Sequence, residues 1–227
     1  MSEMKKCLKD MAVFSRLDDR ELKLICENSS EKIYKKGELI FLEDDNIQKL
    51  YMLVEGRVKL TMLSPEGKEK VMTILQGGDL MGEISLFDHD THPLTAEVIE
   101  DSRLLIISRS ALENIIMEYP AIAIKIIEAL AKKTRLLTSQ IKELVFKNAS
   151  GRLAGLLKRF SFDFGVEKNG GILIELVLTH NDIANLLGLS RVTVTKTINN
   201  FIDKGIIKIY KRKIFVKNQE KLESYLM

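Results

Sequence analysis

Residues 179–205, THNDIANLLGLSRVTVTKTINNFIDKG, restrict the possible folds of this chain more than any other stretch. They predict two short helices joined by a tight turn. Thr179 precedes an apolar-periodic segment and Asp182 follows three positions later. That is the spacing of a capping box, in which the Thr hydroxyl accepts from an orphan helix N–H and the carboxylate reaches back. Ile183, Leu186 and Leu187 give the first helix one apolar face, and Ala184 is small where a second helix must cross. Gly188 tolerates the positive φ of a sharp turn, with Leu189 placed in the angle between the helices. Ser190 is a good cap for the next helix, which Val194 and Ile198 turn inward. Arg191, Val192, Thr193, Thr195 and Lys196 are left on faces not needed for packing. The helix and turn lengths match a DNA-binding helix-turn-helix. They also match a plain helical hairpin in some other core.

The flanks bear on that choice. Ile206–Tyr210 and Ile214–Val216 are β-prone runs on either side of Lys211-Arg212-Lys213, the pattern of a hairpin with a basic turn. Behind a recognition helix such a hairpin is a wing, and its tip lies against phosphate. The alternative is an ordinary solvated turn. Charge is also uneven. Residues 149–227 hold 13 Lys+Arg against 7 Asp+Glu, whereas residues 1–148 hold 22 against 25. The cationic excess therefore sits with the helix-turn-helix, as a nucleic-acid partner requires.

Between Glu31 and Ser108 short β-prone runs recur: Glu38–Leu42, Leu50–Val54, Arg57–Leu63, Lys70–Leu75, Leu80–Met81, Thr95–Ile99 and Leu104–Ile107. Turn signals at Lys36-Gly37, Glu55-Gly56, Ser64–Gly67, Gly77–Asp79 and Asp88–Pro93 separate them. Many short strands at regular spacing predict a β-barrel or jelly roll, which encloses a cavity able to hold a ligand. Residues 8–29 read as one or two short helices before it. Ser110–Lys147 is strongly helical after it, with Ser110 and Glu113 spaced as a second capping box and Pro120 ending one helix before a longer one. Along the long helix Ile127, Leu130, Thr134, Leu137, Ile141 and Leu144 are spaced 3, 4, 3, 4, 3. That is a coiled-coil seam between two copies of the chain, or the inner face of a helix lying on its own barrel. Asn148–Gly151 breaks the seam, Arg152–Phe160 is a further helix, and Ile172–Leu178 reads as a strand. The fold class is α+β, with three parts. Residues 1–110 form an effector-binding barrel with N-terminal helices, 111–147 a dimerisation helix region, and 148–227 a winged helix-turn-helix.

Several function classes are disfavoured. No apolar run is long enough to span a membrane and no signal peptide is evident, so a cytoplasmic protein is expected. Two cysteines, Cys7 and Cys26, give neither a disulfide framework nor the four thiolates of an iron–sulfur cluster. A cupin-type metal enzyme needs clustered His and carboxylate ligands, but the three histidines show no His-x-His spacing. Catalytic residues are not apparent, and no enzyme is expected. His89 or His92 with a second ligand is the haem alternative, although histidines of a polar loop are more often solvated. His180 reads as a neighbour of the phosphate backbone or as simply exposed.

The order of barrel, long helix and winged helix-turn-helix resembles the catabolite activator / fumarate-nitrate regulator (CRP/FNR) family of bacterial transcription factors. Gly82-Glu83-Ile84-Ser85-Leu86-Phe87 is similar to its GExxLF motif. Residues 187–194, Leu-Gly-Leu-Ser-Arg-Val-Thr-Val, are similar to its GxSRETV. Ala149–Ala154 is similar to its T/SGRIA helix. The resemblance implies a cyclic-nucleotide-binding-like barrel whose effector contacts the long helix. It implies a homodimer on a pseudo-palindromic site, with RNA polymerase as a further partner. Effector binding would shift the population of DNA-competent arrangements. The residues implied at the effector site are Gly82, Glu83, Thr95, Thr138 and Ser139. The arginine that clamps a cyclic phosphate in cAMP-binding members is missing, because Leu94-Thr95-Ala96 stands at its Arg-Ser-Ala segment. A cyclic phosphate would lose its charge-assisted partner there, and nothing shows that Arg103 or Arg135 substitutes. The effector is therefore left open. A cyclic-nucleotide-binding regulatory module without DNA readout is the alternative function, and it leaves the helix-turn-helix without a role. On DNA the implied contacts are Arg191 to guanine, Lys196 to a base or phosphate, and Val192 to a thymine methyl, where close relatives carry an acid that accepts from cytosine. Thr179, Ser190, Thr193, Lys211 and Lys213 are assigned to phosphates. Thr197 occupies a position that is apolar in the family.

Overall fold

The computed structural model describes residues 8, 9, 11, 14 and 17–226. Cys7 and part of the helical reading of residues 8–29 lie outside them. The chain divides into two compact units, Met1–Thr134 and Arg135–Met227.

In the first unit, helix α1 (Asp19–Glu27) is followed by strands β1 (Ser29–Tyr34), β2 (Leu39–Phe41), β3 (Lys49–Leu63), β4 (Glu69–Gln76) and β5 (Leu80–Met81). Helix α2 (Glu83–Asp88), strand β6 (Thr95–Ser108), helix α3 (Arg109–Glu118) and the long helix α4 (Pro120–Phe146) come next, and α4 continues into the second unit. The strands form one antiparallel sheet in the order β1-β6-β3-β4, with β2 also on β6 and β5 also on β3.

Alternation across β3 and β6 builds two cores, because successive side chains of a strand leave on opposite faces. Leu50 and Met52 of β3 and Leu105 and Ile107 of β6 join Leu22, Ile25, Leu112, Ile115, Ile122 and Ile126 in a helix-covered core. Tyr51, Leu53, Val58 and Leu60 of β3 and Ala96, Val98 and Leu104 of β6 line the barrel interior with Tyr34, Phe41 and Met81. In β3 the inward positions change from odd to even numbers between Leu53 and Val58. The pairing register shifts there, between Leu53 and Glu55 and again on either side of Arg57. A bulge has this effect on side-chain parity.

That bulge corrects the strand reading. The expected turn at Glu55-Gly56 is a kink inside one 15-residue strand. Gly56 sits at φ 92°, and a Cβ there would approach Ser102 Cα to 2.6 Å, so glycine is required. Likewise Thr95–Ile99 and Leu104–Ile107 are one strand of 14 residues. Strand β1 escaped the sequence pattern because only Tyr34 of its six residues is buried. The expected Ser110 capping box is absent. Ser108 caps α3 by accepting from Ala111 N–H, and Glu113 pairs with Arg109 at 2.6 Å. Pro120 does open the long helix, at a position where its missing N–H costs nothing.

The second unit begins with the distal half of α4. It then contains α5 (Ala149–Asp163), β7 (Gly165–Lys168), β8 (Gly171–Ile174), α6 (His180–Leu187), α7 (Arg191–Asp203), β9 (Ile207–Tyr210), β10 (Lys213–Val216) and α8 (Gln219–Glu223). Four short strands pair antiparallel as β7-β8-β10-β9. The strand expected over Ile172–Leu178 stops at Ile174, and β7 was not foreseen in its exposed, charged sequence. Leu153, Ala154, Leu156, Leu157 and Phe160 bury one face of α5, which packs against α6, α7, α8 and the β7–β8 hairpin.

Candidate nucleic-acid interface and effector site

Helix α6 starts as its sequence predicts. Thr179 Oγ1 accepts from Asp182 N–H at 3.1 Å, and Asp182 Oδ2 accepts from Thr179 N–H at 2.7 Å. It ends at Gly188, whose φ of 63° is left-handed, with Leu189 N–H returning to Ala184 O at 3.1 Å. Leu189 itself is half-buried. Ser190 then caps α7 by accepting from Thr193 N–H at 3.1 Å. Val194, Ile198 and Phe201 are buried at successive turns of α7. That stripe fixes the rotation of α7 about its axis and leaves Arg191, Val192 and Lys196 exposed on the other side.

The threonines are engaged rather than free. Thr193 Oγ1 lies 2.8 Å from Ser190 Oγ, within the cap. Thr195 Oγ1 donates to Arg191 O at 2.9 Å and lies 2.8 Å from His180 Nδ1. His180 is thus half-buried and braces α6 to α7, so it is not simply exposed. Thr197 is buried, but its hydroxyl is satisfied by Thr193 O at 2.9 Å. The loss from a polar group in an apolar position is therefore limited to packing.

The wing forms with a two-residue turn at Lys211-Arg212, whose φ values of 47° and 65° are both left-handed. Such hairpin turns favour Asn-Gly. Two cations are held here in a conformation that disfavours their side chains. Lys211 and Arg212 are exposed at the tip. Lys213 is not a free cation of the tip, since it lies in β10 and forms an ion pair with Glu175.

In the barrel, Gly82 precedes α2 at φ 84°, and a Cβ there would meet Lys49 O at 2.5 Å and the Tyr51 ring at 2.9 Å. Glu83 follows and is buried. Its Oε1 accepts from Lys133 Nζ at 2.8 Å, and Lys133 also donates to Leu80 O at 2.6 Å. Its Oε2 is buried and has no hydrogen-bond partner among the described residues. Lys133 was not foreseen, although it continues the barrel-facing stripe of Ile122, Ile126 and Leu130 on α4. A cation on an apolar helix face was the available signal. Leu130 packs against this core, whereas Ile127, Leu137, Ile141 and Leu144 of the predicted seam are exposed, as is Thr134.

His92 is a core residue, not a solvated one. Its ring stacks on Phe41 at 3.9 Å, and its Nδ1 lies 2.9 Å from Ser85 Oγ. Burial holds this imidazole below the usual histidine range and so keeps it neutral. Burial likewise pushes the Tyr51 hydroxyl up to about 12 and the Asp79 carboxyl above its usual range. His89 lies against the Arg109 guanidinium. Thr95 Oγ1 accepts from Glu43 N–H at 2.9 Å. Arg103, considered as a substitute phosphate partner, is bound to Glu31 at 3.0 Å and Glu55 at 2.9 Å. Arg135, Thr138 and Ser139 are exposed and belong to the second unit. The described residues contain no group of His, Cys, Asp and Glu that could hold a metal, and none of their helices is long and apolar enough to cross a membrane.

Removing one partner of a buried ion pair leaves an uncompensated charge. Lys133→Met is expected to destabilise the barrel by about 2–3 kcal/mol. That is below the range for a fully buried pair, because the lysine side chain is 29% exposed. Adding Glu83→Leu should recover most of the loss. Urea unfolding checks both, and a change under about 0.5 kcal/mol in the single variant would contradict the pairing.

Residues 31–119 match the cyclic nucleotide-binding domain family, and residues 151–225 match the Crp-like helix-turn-helix domain family. The chain is 27% identical over 219 residues to the CRP-like cAMP-activated global transcriptional regulator of Mycobacterium tuberculosis, covering 96% of this chain and 98% of that protein. It is 30% identical over 182 residues to the anaerobic regulatory protein of Bacillus subtilis, covering 80% of this chain and 76% of the relative. Among solved structures, a CooA mutant from Carboxydothermus hydrogenoformans superposes with a TM-score of 0.80 at 26% identity, over 96% of this chain and 95% of that one. Barrel, long helix and winged helix-turn-helix thus recur in the same order, and the chain belongs to the CRP/FNR family of transcriptional regulators, with a DNA-binding helix-turn-helix domain and an effector-binding domain of the cyclic nucleotide-binding type.

Proposed function

We propose that this regulator reads a pseudo-palindromic DNA site as a homodimer, with α7 of each copy in the major groove. It acts in the cytoplasm, and an effector in the barrel domain (residues 1–110) controls it. One observation carries the reading. Arg191, Val192 and Lys196 stand exposed on a helix whose opposite stripe is buried, and the wing of the same unit carries exposed Lys211 and Arg212 at its tip. The N-terminal residues of a recognition helix meet base edges. Arg191 then donates two hydrogen bonds to guanine O6 and N7, and Lys196 reaches a base or phosphate. Val192 makes only apolar contact, which favours a thymine methyl and moves that base pair towards A·T. Thr179, Ser190 and Thr193 line the helix starts beside phosphates. Lys211 serves the wing together with Arg212, which replaces the ion-paired Lys213 in that role. RNA polymerase is the further partner that a transcription regulator of this family engages.

The exposed apolar residues Ile127, Leu137, Ile141 and Leu144 of α4 support pairing of two long helices. Residues 111–147 are assigned to that dimerisation region and 148–227 to DNA binding. Leu130 turns towards the barrel core and contributes less to the seam. The Mycobacterium tuberculosis relative is named as cAMP-activated. In this chain Leu94 and Thr95 supply no charge to a cyclic phosphate. The free carboxylate oxygen of Glu83 suits a ligand hydroxyl or amine, groups that a nucleotide also carries. We therefore leave the effector unassigned; a cyclic phosphate would lack its arginine partner at Leu94-Thr95.

Selection of duplexes from a random pool tests the reading. The wild-type chain should enrich two inverted half-sites. Arg191→Ala should weaken binding by about 1–3 kcal/mol and relax one base position. An unchanged sequence preference would overturn its role. Leu137→Asp should shift the chain from dimer to monomer in sedimentation, and a dimer that persists would rule out this seam.

A further inference from the structure

His180 opens α6 with a half-buried ring whose Nδ1 lies 2.8 Å from Thr195 Oγ1 on α7. The same hydroxyl donates to Arg191 O at 2.9 Å. A threonine hydroxyl has a single proton to give. With that proton on Arg191 O, the hydroxyl accepts from the imidazole, and Nδ1 is the ring nitrogen that carries hydrogen. In the neutral ring Nε2 is then a bare lone pair. Nε2 has no hydrogen-bond partner among the described residues. Such a nitrogen cannot donate to a phosphate until it takes a proton from solvent. Taking one leaves the bond to Thr195 intact, because both nitrogens of an imidazolium are donors.

The ring stands where a phosphate is expected. Thr195 follows Arg191 by four residues, so the ring lies on the flank of the helix face that carries Arg191. His180 also follows the N-cap Thr179, and the first helix of a helix-turn-helix crosses the DNA backbone. Helix α6 packs against α5 and α7. Its own acid, Asp182, is spent on the N–H and Oγ1 of Thr179, each at 2.7 Å. On α7, Arg191 and Lys196 are exposed and Asp203 closes the opposite end. On α5, Arg152 donates to Leu187 O at the far end of α6, Lys158 pairs with Glu223 at 2.6 Å, and Arg159 lies near Glu143 and Asp163. Among the described residues no carboxylate pairs with the imidazole.

We propose that His180 is a DNA-contact residue that holds a backbone phosphate through Nε2 as the imidazolium, so that each half-site takes up a proton on binding. This contact rests on the DNA reading above. Histidine is the side chain whose charge changes between about pH 5 and 8, and an anion against the ring favours its charged form. The complex therefore holds more protons than the free chain, and affinity rises as pH falls. The charge-assisted bond positions the chain on the duplex without reading its sequence.

Calorimetric titration of the full chain with a duplex selected by the wild-type chain tests this at about pH 6 and pH 8, in two buffers that differ in ionisation enthalpy. The wild type should lose about tenfold or more in affinity over that rise, with a binding heat that depends on the buffer. His180→Asn keeps an amide donor in the place of Nδ1 and lacks Nε2. Its affinity should change by about threefold or less over the same rise, and its heat should no longer depend on the buffer. A pH dependence in His180→Asn equal to the wild type's, or a buffer-independent heat in the wild type, overturns the proposal. Nitrogen-15 NMR of the imidazoles needs no variant, since the chain holds three histidines. It should show His180 as the Nδ1–H tautomer in the free chain, and a larger share of imidazolium in the complex at the same pH. An Nε2–H tautomer in the free chain overturns the proposal, even where His180→Asn loses its fold. Failure of every duplex to bind at either pH contradicts the DNA reading, whereas binding without proton uptake contradicts this contact alone.

Discussion

The buried stripe of Val194, Ile198 and Phe201 is the constraint on which the DNA-facing surface depends. Full burial of each such side chain contributes about 1.5–3 kcal/mol, so rotating α7 to hide Arg191 would cost several kcal/mol. The orientation of the polar face is thus a consequence of packing, before any contact with DNA. The caps act on the same helix. Gly188 turns the chain sharply enough to cross α6 over α7, and the hydrogen bond between His180 and Thr195 closes the two helices against each other. Arg152 then joins the end of α6 to the end of the long helix.

The barrel follows a different logic. Its interior is largely apolar, yet Glu83 is buried with one oxygen paired to Lys133 and the other without a partner. An unpaired buried acceptor is unfavourable unless a ligand donor completes it. The free oxygen of Glu83 is an acceptor that a hydrogen-bond donor would satisfy. His92 adds no charge, because burial keeps it neutral beside Phe41 and Ser85.

Much of this was legible in the sequence where local patterns dominate. The Thr179 box, the Gly188 turn, the Ser190 cap and the Lys211-Arg212 hairpin are all decided within a few residues. The longer strands were misread because Gly56 and the register shifts beside it look like a turn, although they are a bulge that only cross-strand pairing to β6 reveals. Strand β1 has almost no apolar alternation and is held by its backbone pairing with β6. Of the site residues, Gly82 and Glu83 were visible as a motif. Lys133, 50 residues away in sequence from Glu83, was not. Lys213 looked like one more cation of the tip until its pairing with Glu175 became apparent. Long-range ion pairs leave no periodic trace, which is why Lys133 and the pairing of Lys213 were missed.

The central claim is that a cationic helix face and wing meet the DNA backbone and base edges together. Its most direct test is a titration of the purified chain with a selected duplex and a scrambled one across a salt series. The account predicts that both affinities fall linearly on a log–log plot, by about 0.9 in slope per phosphate contacted, with the selected duplex bound more tightly throughout. Equal affinity for the two duplexes, or no binding to either at low ionic strength, would contradict it.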